Sequence, residues 1–406
     1  MLSTLIYRSR LSVEVALDVL EQVVARAKVN NEKINVTGIL LFDGEHFFQV
    51  LEGSVESVNA VYDRISKDTR HYNLVELLRD YAPSRRFGNA GMELFDLRCY
   101  DKASVLQAVL AKGTSQYALT YDDRVLKFIR TFVAGNNKEA FINTGSSSRW
   151  DLIQQPAVAP QKSRFMQKDQ ACQFALQPIV DVANREIISF EALIRSAEGG
   201  SPATYFASLS KDQLYQADVE SKRTAFALAK HIGLVNQTLS VNLLPMSLVM
   251  NKGAVDFLLE EIKFHGLVPE QVVVEVTEDE VISRFDEFEI AINQLRSAGI
   301  GLAIDDFGAG FAGLSLLAQF QPEKIKIDRN IICDVHKSGP KQAIVQAMIK
   351  CCSLLEISVI AEGVEKIEEW LWLEAAGIRY FQGFLFARPQ LNGLPAVNWP
   401  EKKKRA

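Results

Sequence analysis

The sequence is poor in cysteine and has no closely spaced pair of the redox or zinc-ribbon kind. Cys99, Cys172, Cys333, Cys351 and Cys352 form an odd set of five in 406 residues, with no CxxC spacing. That excludes a disulfide framework as the organising device and leads us to expect reduced thiols in a cytoplasmic protein. Positive charge is not in excess either. Forty-five Lys and Arg against fifty Asp and Glu leave a net charge of -5. A chain that wraps a nucleic-acid polymer through a basic face is thereby excluded, whereas a small anionic ligand needs only local positive charge. Long apolar runs are missing as well. The longest uncharged stretch, residues 232–251, is interrupted by Asn236, Gln237, Asn242 and Pro245, and a hydrocarbon span does not tolerate that polarity, so no membrane association is expected. The opening string MLSTLIYRSRLSVEVAL lacks the basic head, apolar core and cleavage site of a secretory signal.

What is present is an ordinary globular composition, 48% hydrophobic and 23% charged, with enough apolar surface for large cores. At roughly 100–200 residues per domain, the length leans towards two or three domains. In residues 1–98 the patterns alternate: LSTLIYRS as a strand, VEVALDVLEQVVARAKV as an amphipathic helix, VTGILLFDG and EHFFQVLEG as a hairpin. SVESVNAVYDRISKD is a second helix, and NLVELLRDYA and GMELFDLR close the region as strands. This β-α-β-β-α-β order with one extra strand predicts a ferredoxin-like α+β sandwich, a fold that says almost nothing about function. Residues 99–164 predict a helical connector (VLQAVLAKG, DDRVLKFIRTFVAG) and a linker rich in Gly, Asn, Ser and Pro.

Residues 165–400 alternate strand and helix. The strands CQFALQPIVD, IISFEALIR, LSVNLLP, VVVEVTE, LAIDDFG, KIKID, SVIAEG and YFQGFLF have the number and spacing of a TIM barrel, so the whole chain reads as α/β. Only residues 182–186 separate the first two strands, too few for a parallel crossover, so a barrel with one antiparallel strand is predicted. Barrels place chemistry at the carboxyl ends of strands. Glu191, Asn242, Glu275, Asp305, Asp306, Glu362 and Gln382 stand at or near those ends, and Lys326 takes an inward position on the sixth strand. Any one of them alone would be a surface cap; together they are not explained that way. Carboxylates converging on one mouth repel one another and require cations. Oxygen donors without nearby His or Cys predict Mg²⁺ or Mn²⁺. The pair Asp305-Asp306 can bridge two such ions, the arrangement that hydrolyses phosphate esters, with Lys326 positioning or deprotonating the water.

The strings EALIR, VNLLP, EVTE, IDDFGAGFAGL, KIKID, AEGVE and QGFLFARP, in that order, closely resemble the EAL family of cyclic di-GMP phosphodiesterases. The resemblance implies hydrolysis of cyclic di-GMP to linear pGpG with two Mg²⁺ or Mn²⁺. It implies Glu191, Asn242, Glu275, Asp305, Asp306 and Glu362 as metal ligands, and Lys326 with Glu191, Asp305 and Asp306 as the catalytic set. Arg195 and Gln382 would contact substrate, and Glu278 would steady the mobile loop after Asp306. Leu244 stands where many members carry Ser.

In the first region Tyr7 sits in a central strand, Gln49 interrupts the apolar FFQVL, and Asn31 closes the first helix. On residue chemistry alone these read better as a core tyrosine, a solvent-facing amide and a helix C-cap. LIYRS, NNEKINVTGILLF, HFFQVLEG and DTRHYNLVEL, however, resemble the BLUF family of blue-light sensors that use flavin. That resemblance implies a bound FAD or FMN, Tyr7 as electron donor, and Gln49 as the amide that rearranges between tyrosine and flavin. Asn31, Ser9, Asp68, Arg70, His71 and Met92 would line the flavin site. The order of the whole chain resembles bacterial BLUF-EAL photoreceptor phosphodiesterases and implies a homodimer. Two other readings are a non-enzymatic light-dependent receptor, whose barrel binds cyclic di-GMP or a regulatory protein, and a flavin redox enzyme, for which no substrate motif stands in the sequence.

Overall fold

The structure is a computed structural model that describes residues 2–12, 18–82, 85–87, 92–99, 101–111, 123–135, 141–155, 171–277, 285–310 and 313–403. It divides into two compact units, Met1–Thr144 with Asp334–Ile344, and Gly145–Cys333 with Val345–Ala406.

In the first unit, β1 (Leu2–Leu11), β2 (Thr37–Phe42), β3 (His46–Ser54), β4 (His71–Ala82) and β5 (Glu93–Asp96) form one sheet in the order β4-β1-β3-β2-β5. β1 is antiparallel to β3 and β4, β2 is antiparallel to β3, and β5 runs parallel to β2. The connecting helices are α1 (Asp18–Lys33) and α2 (Val55–Ser66), followed by α3 (Lys102–Ala111) and α4 (Arg124–Ala134). Side chains alternate across a strand, and here the alternation sorts two cores. Leu5, Tyr7, Leu40 and Leu51 pack with Val58 and Val61 of α2 on one face. Ile6, Ile39, Leu41 and Val50 pack with Val105, Val109, Ile129 and Phe132 of α3 and α4 on the other. The predicted connector helices therefore cover the second face of the sandwich.

The second unit begins with β6 (Trp150–Gln155), so the stretch expected to be an irregular linker contains a strand. It pairs with β16 (Val397–Lys402) near the end of the chain. The barrel runs from β7 (Cys172–Asp181) through β8 (Glu186–Ser196), β9 (Thr238–Asn242), β10 (Val272–Thr277), β11 (Gly301–Phe307), β12 (Lys324–Ile327) and β13 (Ser358–Ala361) to β14 (Tyr380–Phe381). β7 and β8 are antiparallel, each later step is parallel, and β14 closes on β7. The predicted reversed strand is present. A short strand, β15 (Gln390–Leu391), adds to the outer side of β7. Between the parallel strands lie α5 (Pro202–Ala207), α6 (Lys211–Ile232), α7 (Pro245–Met250), α8 (Ala254–Phe264), α9 (Phe285–Ser297), α10 (Gly313–Phe320), α11 (Arg329–Ile332), α12 (Gly339–Leu354) and α13 (Ile367–Ala375).

Candidate active site and flavin cavity

Parallel register brings the polar residues of neighbouring strands to one level. Asn242 at the end of β9 stands beside Glu275 of β10, and Thr277 of β10 stands beside Asp305 of β11. At the centre is Lys326 of β12, fully buried, with Nζ 3.0 Å from carboxylate oxygens of Glu191, Glu275 and Asp305 and 3.2 Å from Glu362. Glu191 is further held by two amides: Asn242 Nδ2 donates to Oε1 at 2.6 Å and Gln382 Nε2 to Oε2 at 2.6 Å.

Consecutive strand residues point to opposite faces, yet Asp305 and Asp306 both reach this mouth. The reason is local. Asp306 takes a left-handed backbone, φ 51°, and the β11–β12 register slips between Ile304 and Phe307. Asp tolerates that conformation better than most residues.

The charges do not balance. Burial pushes the Glu275 carboxyl up to about 8 against the pull of Lys326. Burial, then Asp305, pushes Asp306 up to about 6, and burial holds Glu362 well above the usual range. For Asp305 burial acts upward and is the largest influence, but the Lys326 charge together with hydrogen bonds from Glu362, Lys326 and the Asp306 backbone lowers its pKa. The Lys326 ammonium, opposed by burial, is held well above its ordinary value by Asp305, Glu191, Glu275 and Glu362. In this form it is a fixed positive charge and a donor, a state unsuited to removing a proton.

Do these residues fit divalent cations? Glu275 Oε1, Asp305 Oδ1, Glu362 Oε2 and Gln382 Oε1 are buried without a hydrogen-bond partner; the contacts of Lys326 to the Asp305 and Glu362 atoms have ion-pair distance only. Two sets of carboxylates, Glu191-Glu275-Asp305 and Asp305-Asp306-Glu362, each offer oxygens within 4.8 Å of one another and share Asp305. Orphaned hard oxygens in two overlapping triads fit two hard cations.

Arg195 lies on β8 four positions beyond Glu191, half-buried, its Nη1 donating to the Ile194 carbonyl at 2.8 Å; the Glu191 charge acts on it, but no hydrogen bond or ion pair joins it to a carboxylate among the described residues. Glu278 lies outside the described residues. Gln177 escaped the sequence reading. It faces Glu191 across the β7–β8 pair, accepts from Gln382 Nε2 at 3.3 Å and donates to the Ala387 carbonyl at 3.1 Å. The signal was there, a lone amide inside the apolar FALQPIV.

In the first unit a cavity of about 360 Å³ opens between the sheet and helices α1 and α2. Tyr7, Ser9, Gln49 and His71 line it from strands of the sheet and Met92 from just before β5, with Asn31 on α1 and Asp68 and Arg70 on the turn after α2. Tyr7 donates to Gln49 Oε1, and Gln49 Nε2 donates to Met92 Sδ at 3.0 Å. Burial, followed by Tyr62 and Asp68, holds the Tyr7 phenol well above its ordinary pKa. Burial lowers the His71 imidazole, so its neutral form is favoured. Arg26, Ala27, Asn30, Arg64 and Ile65 also line the cavity, and the sequence reading did not select them. Their i, i+3, i+4 spacing with Asn31 on α1 and with Val61 and Asp68 around α2 is the pattern that would have found them.

A closed barrel with a carboxylate mouth is thus combined in one chain with a helix-flanked sheet around a cavity of mixed polar and apolar lining. The chain belongs to the EAL domain family, whose model matches residues 161–389, and it carries a domain of the sensors of blue-light using FAD, BLUF, matched over residues 2–93. It is 52% identical over 403 residues to the blue light- and temperature-regulated antirepressor BluF of Escherichia coli (strain K12), covering 99% of this chain and 100% of that protein. The Klebsiella pneumoniae BlrP1 pH 6 manganese/cy-diGMP complex superposes with a TM-score of 0.92 at 46% identity, covering 99% of this chain and all of that one. BlrP1 with FMN and cyclic diGMP, without metal ions, superposes with a TM-score of 0.87 at 41% identity over the same shares. The chain is thus a BLUF–EAL protein related to cyclic di-GMP phosphodiesterases such as the probable phosphodiesterase PdeA of E. coli, 33% identical over 37% of this chain and 21% of that protein. No described helix is long and apolar enough to cross a membrane.

Proposed function

We propose that the chain is a blue-light-regulated phosphodiesterase that hydrolyses cyclic di-GMP to linear pGpG. The observation that carries this reading is the pair of carboxylate triads sharing Asp305 around buried Lys326. Glu191, Asn242, Glu275 and Asp305 would hold one Mg²⁺ or Mn²⁺, and Asp305, Asp306 and Glu362 the other. Bound there, such cations neutralise phosphate charge and lower the pKa of a water from about 15.7 towards neutrality. The chain's own residues do the rest. Asn242 and Gln382 clamp Glu191 in one orientation, Lys326 offers positive charge where negative charge builds at phosphorus, and Arg195 and Gln382 would bind the substrate. Glu278 would steady the loop after Asp306.

In the sensor, FAD or FMN would fill the cavity, with Tyr7 as electron donor. Gln49 presents a carbonyl to Tyr7 and an amide to Met92, so rotation or tautomerism exchanges donor and acceptor; Ser9, Asn31, Asp68, Arg70 and His71 would hold the flavin. The working unit would be a homodimer, with residues 1–98 as sensor, 99–164 as connector and 165–400 as effector.

The test is turnover by purified chain with Mg²⁺ or Mn²⁺, in darkness and blue light. Linear dinucleotide is expected, and intact cyclic di-GMP in both conditions overturns the reading. Glu191→Ala should abolish turnover and leave the flavin spectrum unchanged. The 52% identity to an antirepressor along the full length favours a second reading, in which light controls binding of a regulatory protein or cyclic di-GMP. Light-dependent binding that persists in Glu191→Ala, with no turnover in the parent, would establish it.

A further inference from the structure

The turn that presents Asn242 begins α7 without a capping side chain. Leu244 is the N-cap residue and makes no side-chain cap bond, where Ser, Thr, Asp or Asn would ordinarily accept from the first-turn N–H groups. A cavity of about 140 Å³ is bordered by Asp218, Lys222, Asn242, Leu244 and Glu275. Two backbone hydrogen bonds fix the turn instead. Leu243 N–H donates to the Glu275 carbonyl at 2.9 Å, and Leu244 N–H donates to Asp218 Oδ2 of α6 at 2.9 Å. The same Oδ2 accepts from Ser247 Oγ at 2.7 Å, and Oδ1 accepts from Lys222 Nζ at 2.6 Å. Asp218 and Lys222 are 1% and 2% exposed. Burying an ion pair is costly and is not by itself a source of stability, so its presence here asks for another role.

We infer that Asp218, oriented by Lys222, is a positioning residue: it holds the Leu244 N–H and the Ser247 hydroxyl at the start of the uncapped α7 and so fixes the Asn242 amide between Glu191 and the metal site. This rests on the metal reading proposed above. Groups that orient metal ligands in this way typically carry about 10–100-fold in metal affinity or activity.

The test is the full chain carrying Asp218→Ala with Lys222→Met, which removes acceptor and cation together and leaves no unpaired buried charge. Two readouts are followed, hydrogen exchange at the Leu244 amide and Mn²⁺ affinity by direct titration. Exchange at Leu244 should accelerate about tenfold or more, and Mn²⁺ binding should weaken about 10–100-fold. Adding Leu244→Ser gives the first-turn N–H groups a side-chain acceptor and should recover part of the affinity. Should the double variant fail to fold, Asp218→Asn keeps the volume, loses one carboxylate oxygen, and is read the same way. Unchanged exchange and affinity overturn the inference. So does weakened affinity without faster exchange at Leu244, because that would mark a purely structural ion pair. If the parent takes up no Mn²⁺, the metal reading itself fails, an outcome seen before any variant is compared.

Discussion

Lys326 contributes one positive charge among the carboxylates of Glu191, Glu275, Asp305 and Glu362, and the imbalance is met by holding protons. Glu275 is pushed to about 8 and Asp306 to about 6, first by burial. A raised carboxyl pKa means that the cation-free protein keeps a proton that a bound cation displaces. Mn²⁺ affinity should therefore rise with pH between about 6 and about 8. Calorimetry at pH 7 in buffers of different ionisation enthalpy should show about one proton released or more; binding without proton release in that window contradicts the site described. Lys326→Met should cut turnover by about 100-fold or more while Mn²⁺ still binds, since lysine supplies no ligand; loss of binding in step with turnover would assign it to structure. At this scale the sequence was legible where a residue type was out of place. Glutamate near the ends of strands pointed to Glu191 and Glu275, and an amide in FFQVL pointed to Gln49. Gln177 in FALQPIV carries the same mark, in a strand that otherwise reads as an apolar barrel wall.

Elements place these side chains through backbone that residue patterns reveal less well. The Asp305-Asp306 pair was visible as a motif, but the slip in register and the left-handed Asp306 that turn both towards one mouth depend on β12 as partner. Gly383 is a second such place. With φ 154°, it approaches Val364 so closely that a Cβ would lie 2.1 Å from the Val364 carbonyl oxygen. Gln382 precedes it, and Glu362 lies two residues before Val364 in the facing loop. Gly383→Ala must part those loops, at a cost of about 1–3 kcal/mol as overpacking. Its melting temperature should fall, and cyclic di-GMP binding should weaken because Gln382 moves; unchanged binding would detach Gln382 from the site. In the first unit Arg86 joins three elements, reaching Thr4 of β1 at 2.8 Å, Asp80 of β4 at 2.7 Å and Asp123, the N-cap of α4, at 3.2 Å. Its backbone N–H also donates to buried Glu52 of β3 at 3.0 Å. Arg86→Met strips the cation from Asp123 and Glu52, and breaking such a buried pair costs about 3–5 kcal/mol. Denaturant unfolding of the variant checks this; a loss below about 1 kcal/mol would class the cluster with surface pairs. The fold class and the reversed strand were readable from strand count and the short β7–β8 turn. The placement of α3 and α4 was not, because helical periodicity gives a face to bury and no partner to bury it against.

At the scale of the whole molecule, the two candidate sites are separable. The flavin cavity and the carboxylate mouth lie in different units and share no residue. Each can therefore be silenced alone, and the coupling between them can be measured as what remains. Tyr7→Phe keeps the ring that packs near Tyr62, 5.6 Å between centroids, and removes the hydroxyl that donates to Gln49. With that hydroxyl would go the proposed electron donor and the hydrogen bond whose exchange would signal light. The volume change is small, so the fold and the bound flavin should persist. Mn²⁺ affinity and the dark rate of cyclic di-GMP hydrolysis should stay within about twofold of the parent, since a distant change that leaves packing intact adds independently. The light-induced absorption shift should vanish, and the light and dark rates should become equal. Glu191→Ala gives the converse, a normal absorption shift with no hydrolysis in either condition. If Tyr7→Phe retained a difference between light and dark rates, the signal would have to arise at the flavin by a route that bypasses the Tyr7–Gln49 bond. If the dark rate itself collapsed, the sensor would be part of the fold of the effector, and the separation of the two chemistries would be wrong.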